Sequence, residues 1–207
     1  ASRPEWAKGI EDVVQQQLFE DEINDYELPA LKGLLKGFLP TPAVQHTVSE
    51  ALASGKLDQR RTLALLEAMG EMRNAPWPMK WHESVRLLLV SDDRALQLAA
   101  VSAIVNAEES SFADPLVRLA DDQDEPSSVR VTAMTGVAKF GRTLSNPGVS
   151  LLLAQLDADR PTQRLQAARV LGTATLNDDQ LRTVAGRLPK LGALEVAPIL
   201  ACFEQSQ

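Results

Sequence analysis

The chain has 207 residues, of which 44% are hydrophobic, 24% are charged and 4% are aromatic, and its formal net charge is −7. Leucine and alanine greatly outnumber isoleucine and the aromatic residues, which favours helices and excludes an all-β sandwich. The acidic balance has the wrong sign for binding along nucleic-acid phosphates, and no apolar stretch approaches the roughly 18 residues of a membrane-spanning helix.

Apolar periodicity predicts helices that come in pairs along the whole chain. The first pair, residues 5–20 and 28–38, is less regular than the others and belongs to the most acidic part of the sequence. Four shorter helices follow, each leading into the second helix of its pair, and their predicted ranges are 42–54, 80–90, 112–120 and 148–157. A last pair is predicted over 178–188 and 193–204.

The second helices share a repeated pattern. Each begins with a basic or polar residue, has an alanine three positions later, and continues with small or apolar residues. The first members are Arg61, Gln97, Arg130 and Arg164, and the alanines are Ala64, Ala100, Ala133 and Ala167. The first members are 36, 33 and 34 residues apart. Because such alanines leave a thin stripe on one helix face, we expect them to lie in a seam where neighbouring helices approach closely.

Turns before the second helices contain acidic residues, at 92–93, 121–125 and 157–159. Short acidic side chains cap the N–H groups of a helix N-terminus, so we expect caps at these turns. The largest interruption, residues 74–81, contains two prolines, which break helices, and the pair Trp77 and Trp81. Packing of both tryptophans against their own repeats is favoured over an open contact surface, although tryptophan is frequent in binding hot spots.

The segment from Ser128 to Ala133, Ser-Val-Arg-Val-Thr-Ala, follows an acidic turn and resembles the second-helix entry of HEAT-like α-solenoids, in particular their short-repeat bacterial members. The resemblance covers roughly residues 41–174. It implies an all-α fold, a right-handed α-solenoid of about five to six stacked antiparallel helix pairs. Residues 1–40 would form an irregular N-terminal helical pair, and residues 41–207 the repeat array.

The resemblance also implies a ladder of ion pairs between aspartates of the turns and arginines of the second helices. The matching positions are Asp124 with Arg130, and Asp157 or Asp159 with Arg164. Gln97 replaces the arginine in one unit, which interrupts the ladder. Such partly exposed pairs contribute below about 1 kcal/mol each, so stability is expected to come from helix stacking.

The general pattern is also similar to HEAT-like segments of large multi-domain bacterial secreted proteins, where such repeats adjoin a dehydrogenase-like propeller and a c-type cytochrome domain. This similarity implies a soluble protein in the periplasm or outside the cell. Residues 193–203 are mostly apolar, with Glu195 the single charge, whereas a terminal repeat needs a polar outer face. We therefore expect the natural chain to continue beyond residue 207, with self-association through this end as the alternative.

Residues with catalytic or metal-binding chemistry are sparse. His46 and His82 are the only histidines and Cys202 is the only cysteine, so neither an internal disulfide nor a cysteine-based zinc site is expected. His82-Glu83 begins like a zinc-protease motif, but the fifth position is Arg86. No phosphate-binding loop or dinucleotide fingerprint occurs. The sequence therefore predicts no catalytic residue, no cofactor and no metal site.

The predicted function is a non-catalytic scaffold for protein–protein or domain–domain interaction, with the second helices lining a concave side. The alternative is a positioning segment of a larger redox enzyme, dehydrogenase-like or cytochrome-like, whose catalytic domains lie elsewhere. The predicted partner is a protein or a neighbouring domain of the same chain, with no nucleic acid and no membrane insertion, and the oligomeric state stays open. The candidate interaction surface comprises Trp77, Trp81, Arg61, Gln97, Arg130 and Arg164.

Overall fold

The computed structural model describes residues 4–20, 24, 26–72 and 76–204, with side chains from residue 8 onward. The start of the predicted loop over residues 74–81 lies outside the described residues, whereas both of its tryptophans lie within them. Contacts divide the chain into two compact units, residues 1–109 (unit 1) and residues 110–207 (unit 2).

The described part of unit 1 contains six α-helices. They are α1 (Pro4–Phe19), α2 (Glu27–Phe38), α3 (Pro42–Ser54), α4 (Gln59–Gly70), α5 (Met79–Leu89) and α6 (Arg94–Ala107). These bounds lie within a few residues of the predicted ones, because the apolar periodicity in the sequence marks the buried faces directly.

Unit 2 continues with helices of similar or shorter length. They are α7 (Ala113–Asp121), α8 (Ser127–Lys139), α9 (Asn146–Gln155), α10 (Pro161–Thr173), α11 (Asp178–Ala185), α12 (Ala193–Ile199) and α13 (Ala201–Glu204). Short 3-10 turns occur at Ser110–Phe112 and Leu188–Lys190. In the described part of the chain there is no strand, only an isolated bridge between Thr143 and Thr175, so the predicted all-α fold is confirmed.

Within each unit the helices form two rows. In unit 1, α1, α3 and α5 pack in sequence in one row and α2, α4 and α6 in the other. In unit 2, α7, α9 and α11 form one row, and α8, α10 and α12 form the other. This stacking of helix pairs is compatible with a solenoid. A right-handed twist stays a prediction.

The N-terminal pair is part of unit 1. Helix α1 packs on α3 and α2 packs on α4, so the irregular pair predicted over residues 1–40 joins its neighbours in the same way as the later pairs. The two compact units separate after residue 109, and the boundary predicted after residue 40 stays a prediction.

The predicted alanine seam is confirmed. Ala64, Ala100, Ala133 and Ala167 are each at most 1% exposed, and all four lie on even-numbered helices. The α4–α6 crossing shows how close the backbones come: a Cβ added at Gly70 would lie 3.2 Å from the Ala103 Cα. Small side chains at such crossings permit the close packing on which the helix rows depend.

The sequence period reappears in the hydrogen bonds between neighbouring pairs. In unit 1 the Gln59 Nε2 donates to Asp93 Oδ2 at 2.7 Å, a separation of 34 residues. In unit 2 the Gln180 Nε2 donates to Asn146 Oδ1 at 2.9 Å, again 34 residues away. Equivalent positions of successive pairs are therefore neighbours in space, as stacked repeats require.

The prediction that acidic turns cap the second helices is correct for α6, whereas the residues at the N-cap positions of α8 and α10 make no side-chain cap. Asp93 accepts hydrogen bonds from two backbone N–H groups in the first turn of α6. Helices α8 and α10 follow Pro126 and Arg160, and neither of these N-cap residues makes a side-chain cap. The N-cap residues explain the difference, because neither the Pro126 nor the Arg160 side chain has an oxygen that can accept a hydrogen bond from the first turn of the helix.

None of helices α1 to α13 combines the length and the apolar character that crossing a membrane requires.

Candidate functional site

The polar residues that open the repeated pattern turn back onto the preceding helix. Gln97 Nε2 donates to the carbonyl oxygen of Leu89 at 3.0 Å. Arg130 Nε donates to the carbonyl oxygen of Ala120 at 3.0 Å. Because Leu89 and Ala120 lie in the last turns of α5 and α7, these carbonyls have no partner within their own helices. The repeated arginine or glutamine therefore caps the C-terminus of the first helix.

Arg61 also caps a helix C-terminus, but that of α1 in the preceding pair rather than that of α3. Its Nε donates to the carbonyl oxygen of Gln17 in the last turn of α1 at 2.9 Å, and its Nη1 forms an ion pair with Asp58. The Arg61 side chain is only 4% exposed. Burial raises the pKa of the Asp58 carboxyl, but hydrogen bonds from the Arg61 backbone and side chain outweigh it, so the pKa lies below its ordinary value.

Arg164 joins three parts of unit 2. Its Nη1 donates to the carbonyl oxygen of Ala158 at 2.9 Å, in the turn after α9, and its Nε donates to Glu195 Oε1 at 3.0 Å. The hydrogen bond from Arg164 holds the pKa of the Glu195 carboxyl below its ordinary value. The carboxylate partner of Arg164 thus comes from α12.

The ion-pair ladder implied by the HEAT resemblance is corrected accordingly. The Arg130 guanidinium bonds to a helix-end carbonyl, and Asp157 forms its ion pair with Arg187. A buried helix-end carbonyl without a partner costs about as much free energy as a lost hydrogen bond. An exposed ion pair with an aspartate contributes less, so bonding to the carbonyl is the more favourable use of the arginine.

Trp77 and Trp81 are packing residues. Trp81 is fully buried and its Nε1 donates to Ser49 Oγ at 2.9 Å, and Trp77 Nε1 donates to the carbonyl oxygen of Met69 at 3.3 Å. Their rings meet edge to face with centroids 6.4 Å apart. The loop after α4 is therefore anchored by both rings, as the packing interpretation of the sequence favoured.

Four of the six residues of the candidate interaction surface are therefore buried: Arg61, Gln97, Trp77 and Trp81. Arg130 and Arg164 are half-buried in the caps described above. A side chain enclosed in its own unit offers no contact area to another protein without local opening. The accessible face of the even-numbered helices is formed instead by residues outside the repeated pattern.

In unit 1 this face contains a groove of 760 Å³, which we call the first groove. Leu63, Leu66 and Gly70 from α4 and Ala99 and Ala103 from α6 form an apolar floor of mostly small side chains. Charged and polar groups complete the groove. They are Lys32, Glu67, Glu71, Ser102 and Asn106.

Two ion pairs cross from α2 to the α4 side of the first groove. Lys32 pairs with Glu67, and Lys36 Nζ lies 3.0 Å from Glu71 Oε2. All four side chains are between 44% and 69% exposed, so these pairs add little stability and can be exchanged for contacts with another molecule.

Unit 2 has a smaller groove of 350 Å³ between α8 and α10, which we call the second groove. Five of its seven lining residues have polar side chains. Its lining residues are Thr135, Thr162, Leu165, Gln166, Arg169, Val170 and Thr173. Neither groove was visible from the repeated pattern, because most of the residues that line them occupy positions that the pattern leaves unspecified.

The opposite row of unit 1 carries exposed apolar side chains. Met79, Leu87 and Val90 are between 72% and 77% exposed, and they fall on one face of α5 and its C-cap. In unit 2, Leu194 and Leu200 are exposed at the apolar segment that the sequence singled out. Whether a further helix covers that segment stays a prediction.

The histidines form pairs with carboxylates. His46 Nε2 lies 3.3 Å from Glu50 Oε1 on the exposed face of α3, and His82 Nε2 lies 3.7 Å from Glu109 Oε1 beside Trp77. Among the described residues, no three histidine, cysteine, aspartate or glutamate side chains are grouped so that they could hold a metal ion. Burial raises the pKa of the Cys202 thiol, which lowers the fraction of reactive thiolate.

The chain matches no protein-family model. Comparison with curated proteins also gives no match.

Proposed function

We propose that the chain is a non-catalytic, HEAT-like interaction scaffold that holds a segment of a protein partner, or of a neighbouring domain of the same polypeptide, against its even-numbered helices. The observation that carries the proposal is the first groove, whose volume is 760 Å³. Ligand-binding clefts in proteins commonly have volumes of about 300 to 1,000 Å³.

The composition of the first groove fits a peptide segment with one apolar anchor. Ala99 and Leu63 are half-buried and present apolar surface at the floor, while Glu67 and Asn106 present charge and an amide at the sides. An apolar centre with a polar rim is the arrangement found at protein interfaces. The Lys32–Glu67 pair supplies one charge of each sign for the polar groups that flank the anchor.

The close packing of the groove floor supports the same proposal. Helices α4 and α6 meet through Gly70 and Ala103, and the seam alanines behind them are buried. A preformed surface loses little conformational entropy when a segment binds, so more of the contact energy appears as affinity.

Phage display of random twelve-residue peptides, selected on the whole 207-residue protein, supplies the probes for a test. The variant Ala99→Trp fills the first groove, and Leu87→Trp adds the same ring to the exposed face of α5 as a matched control. We expect selected peptides to bind wild type and Leu87→Trp with the same affinity. We expect them to bind Ala99→Trp at least about tenfold more weakly.

Asn106→Trp provides a second filling variant at an exposed position, should Ala99→Trp unfold. Circular dichroism of each variant checks the helical content. The proposal fails if no peptide is enriched on the wild type, or if the peptides lose affinity for Leu87→Trp while they keep it for both groove variants.

A further inference from the structure

The second groove is bordered by a polar stripe along α10. Thr162, Gln166, Arg169 and Thr173 follow one another at steps of four, three and four residues, so they share one helix face, and all four are exposed. Thr135 faces them from α8. The stripe therefore places one guanidinium in a row of hydroxyl and amide groups.

The helices on both sides of the second groove are basic in an acidic protein. Helices α8 and α10 contain Arg130, Lys139, Arg164 and Arg169 and no acidic residue, whereas the chain as a whole has a net charge of −7. The acidic residues before these helices lie in the turns, at 121–125 and 157–159. Charge is thus separated by position, with cations on the helices and anions in the turns.

The four cations differ in what they face. Arg130 bonds to the Ala120 carbonyl, and Arg164 bonds to Ala158 and to Glu195. Lys139 is exposed at the last turn of α8. Arg169 is the cation that lines the second groove, and no carboxylate is among the residues that line it with Arg169.

The hydroxyl groups add complementary hydrogen-bonding capacity. Thr135 Oγ1 donates to the Val131 carbonyl and Thr173 Oγ1 donates to the Arg169 carbonyl, so both oxygens can accept hydrogen bonds from a ligand. Thr162 and Gln166 add a hydroxyl and an amide that can donate. A peptide segment needs acceptors for its N–H groups, donors for its carbonyls and a cation for an acidic side chain.

We infer that the second groove binds an acidic peptide segment, with a glutamate or aspartate carboxylate paired to Arg169 and the peptide backbone bonded to the threonine hydroxyls and Gln166. The inference rests on the proposed scaffold function and names the chemistry of one partner. Arginine with a carboxylate forms two parallel charge-assisted hydrogen bonds, which gives such a contact both strength and direction.

A peptide fits the second groove better than a nucleic acid does. Single-stranded nucleic acids bind through aromatic side chains that stack on bases and through extended positive grooves, whereas the second groove has one arginine and no aromatic residue in its lining.

The test titrates the isotope-labelled full chain with an acetylated octapeptide of alternating glutamate and serine and follows the NMR signals of α8 and α10. The comparison ligands are an acetylated octapeptide of alternating lysine and serine, inorganic phosphate and an oligothymidylate of eight nucleotides. Arg169→Gln removes the groove cation, and Arg182→Gln removes a cation from α11 that is 73% exposed, as a matched control.

We expect the glutamate peptide to shift the signals of Thr162, Gln166 and Thr173. It should bind Arg169→Gln at least about fivefold more weakly than wild type, and it should bind Arg182→Gln with wild-type affinity. An equal loss of affinity in both variants would show that only the net charge of the protein matters, which would overturn the inference. Absence of shifts, or tighter binding of phosphate, oligothymidylate or the lysine peptide, would overturn it as well.

Failure of this inference and failure of the proposed function give different results. The glutamate peptide tests only the second groove, while the display-selected peptides and Ala99→Trp test the first. Selected peptides that depend on Ala99, together with no binding of the glutamate peptide, would remove the acidic-peptide site and leave the scaffold proposal standing.

Discussion

Gln97 donates a hydrogen bond from its Nε2 to the carbonyl oxygen of Leu89 at 3.0 Å, and Gln97 is fully buried. The bond satisfies the last carbonyl of α5, and the Gln97 Oε1 in turn accepts a hydrogen bond from Arg94. Arg130 makes the equivalent bond to Ala120 in unit 2. The exchange of arginine for glutamine between repeats therefore preserves a donor at the same place.

Gln97→Leu keeps the approximate size of the side chain and removes its donor. A carbonyl that loses its buried partner costs about 1 to 3 kcal/mol of unfolding free energy. We expect a loss of that size in urea unfolding monitored by circular dichroism. Gln163→Leu, at an exposed position of α10, is the matched control and should change stability by no more than about 0.5 kcal/mol. Equal stability of Gln97→Leu and wild type would contradict the capping role.

Ala133→Leu adds three carbon atoms to the seam between even-numbered helices. Ala133 is fully buried, so the larger side chain forces neighbouring helices apart, at a cost of about 1 to 3 kcal/mol. Ala95→Leu makes the same exchange at an exposed position of α6 and should leave the melting temperature nearly unchanged. Matching melting temperatures for the two variants would show that the seam has room for a larger residue.

Glu108 ends α6 with a left-handed backbone, φ 61°, and its N–H bonds to the carbonyl of Ile104. Residues with a Cβ disfavour this conformation by roughly 1 to 2 kcal/mol, whereas glycine adopts it readily. We therefore expect Glu108→Gly to unfold at a higher urea concentration than Glu108→Ala, two variants that both lack the carboxylate. At Asn106, inside α6, the order should reverse, and Asn106→Ala should be more stable than Asn106→Gly. The same order at both positions would be inconsistent with the left-handed cap.

The stability of unit 2 should depend on the protonation of Glu195. Because the hydrogen bond from Arg164 lowers the pKa of this carboxyl from its ordinary value of 4.5, the folded state gains stability from the ionised form. That gain is present above the ordinary pKa and is lost as the pH falls through the lower pKa of the folded state. Glu195→Gln should therefore lose less stability than wild type between pH 6 and pH 3, whereas Glu204→Gln, exposed near the chain end, should follow wild type. A wild-type pH slope in Glu195→Gln would contradict the linkage.

Much of the fold follows from the sequence because burial in stacked helices has a regular period. Ala133 and its three equivalents are predicted to be buried, and they are, since a small residue that recurs at a fixed step in every unit is typical of a crossing where two helix backbones approach closely. The bounds of α3, Pro42–Ser54, agree with the predicted range of 42–54. These features depend on local pattern and repetition, both of which can be read directly from the amino-acid sequence.

The candidate site is less predictable because it depends on where side chains turn in space. Arg61 and Gln97 are polar residues at the start of amphipathic helices, which suggested exposure, yet each folds back to a carbonyl of an earlier helix. No local pattern encodes that contact, since the carbonyl of Gln17 lies 44 residues before Arg61. Likewise Ala99 and Arg169 acquire a role only when the neighbouring helix forms the other side of a groove.

Hydrogen-exchange mass spectrometry, on the 207-residue protein with and without the display-selected peptides, tests most directly whether the even-numbered helices bind the partner. Amides that become protected on binding mark the contacted helices. Protection of α4 and α6, with α3 and α5 unchanged, is the predicted result. Protection of α3 and α5 with no change in α4 and α6 would contradict it and would transfer the interaction to the apolar face around Leu87.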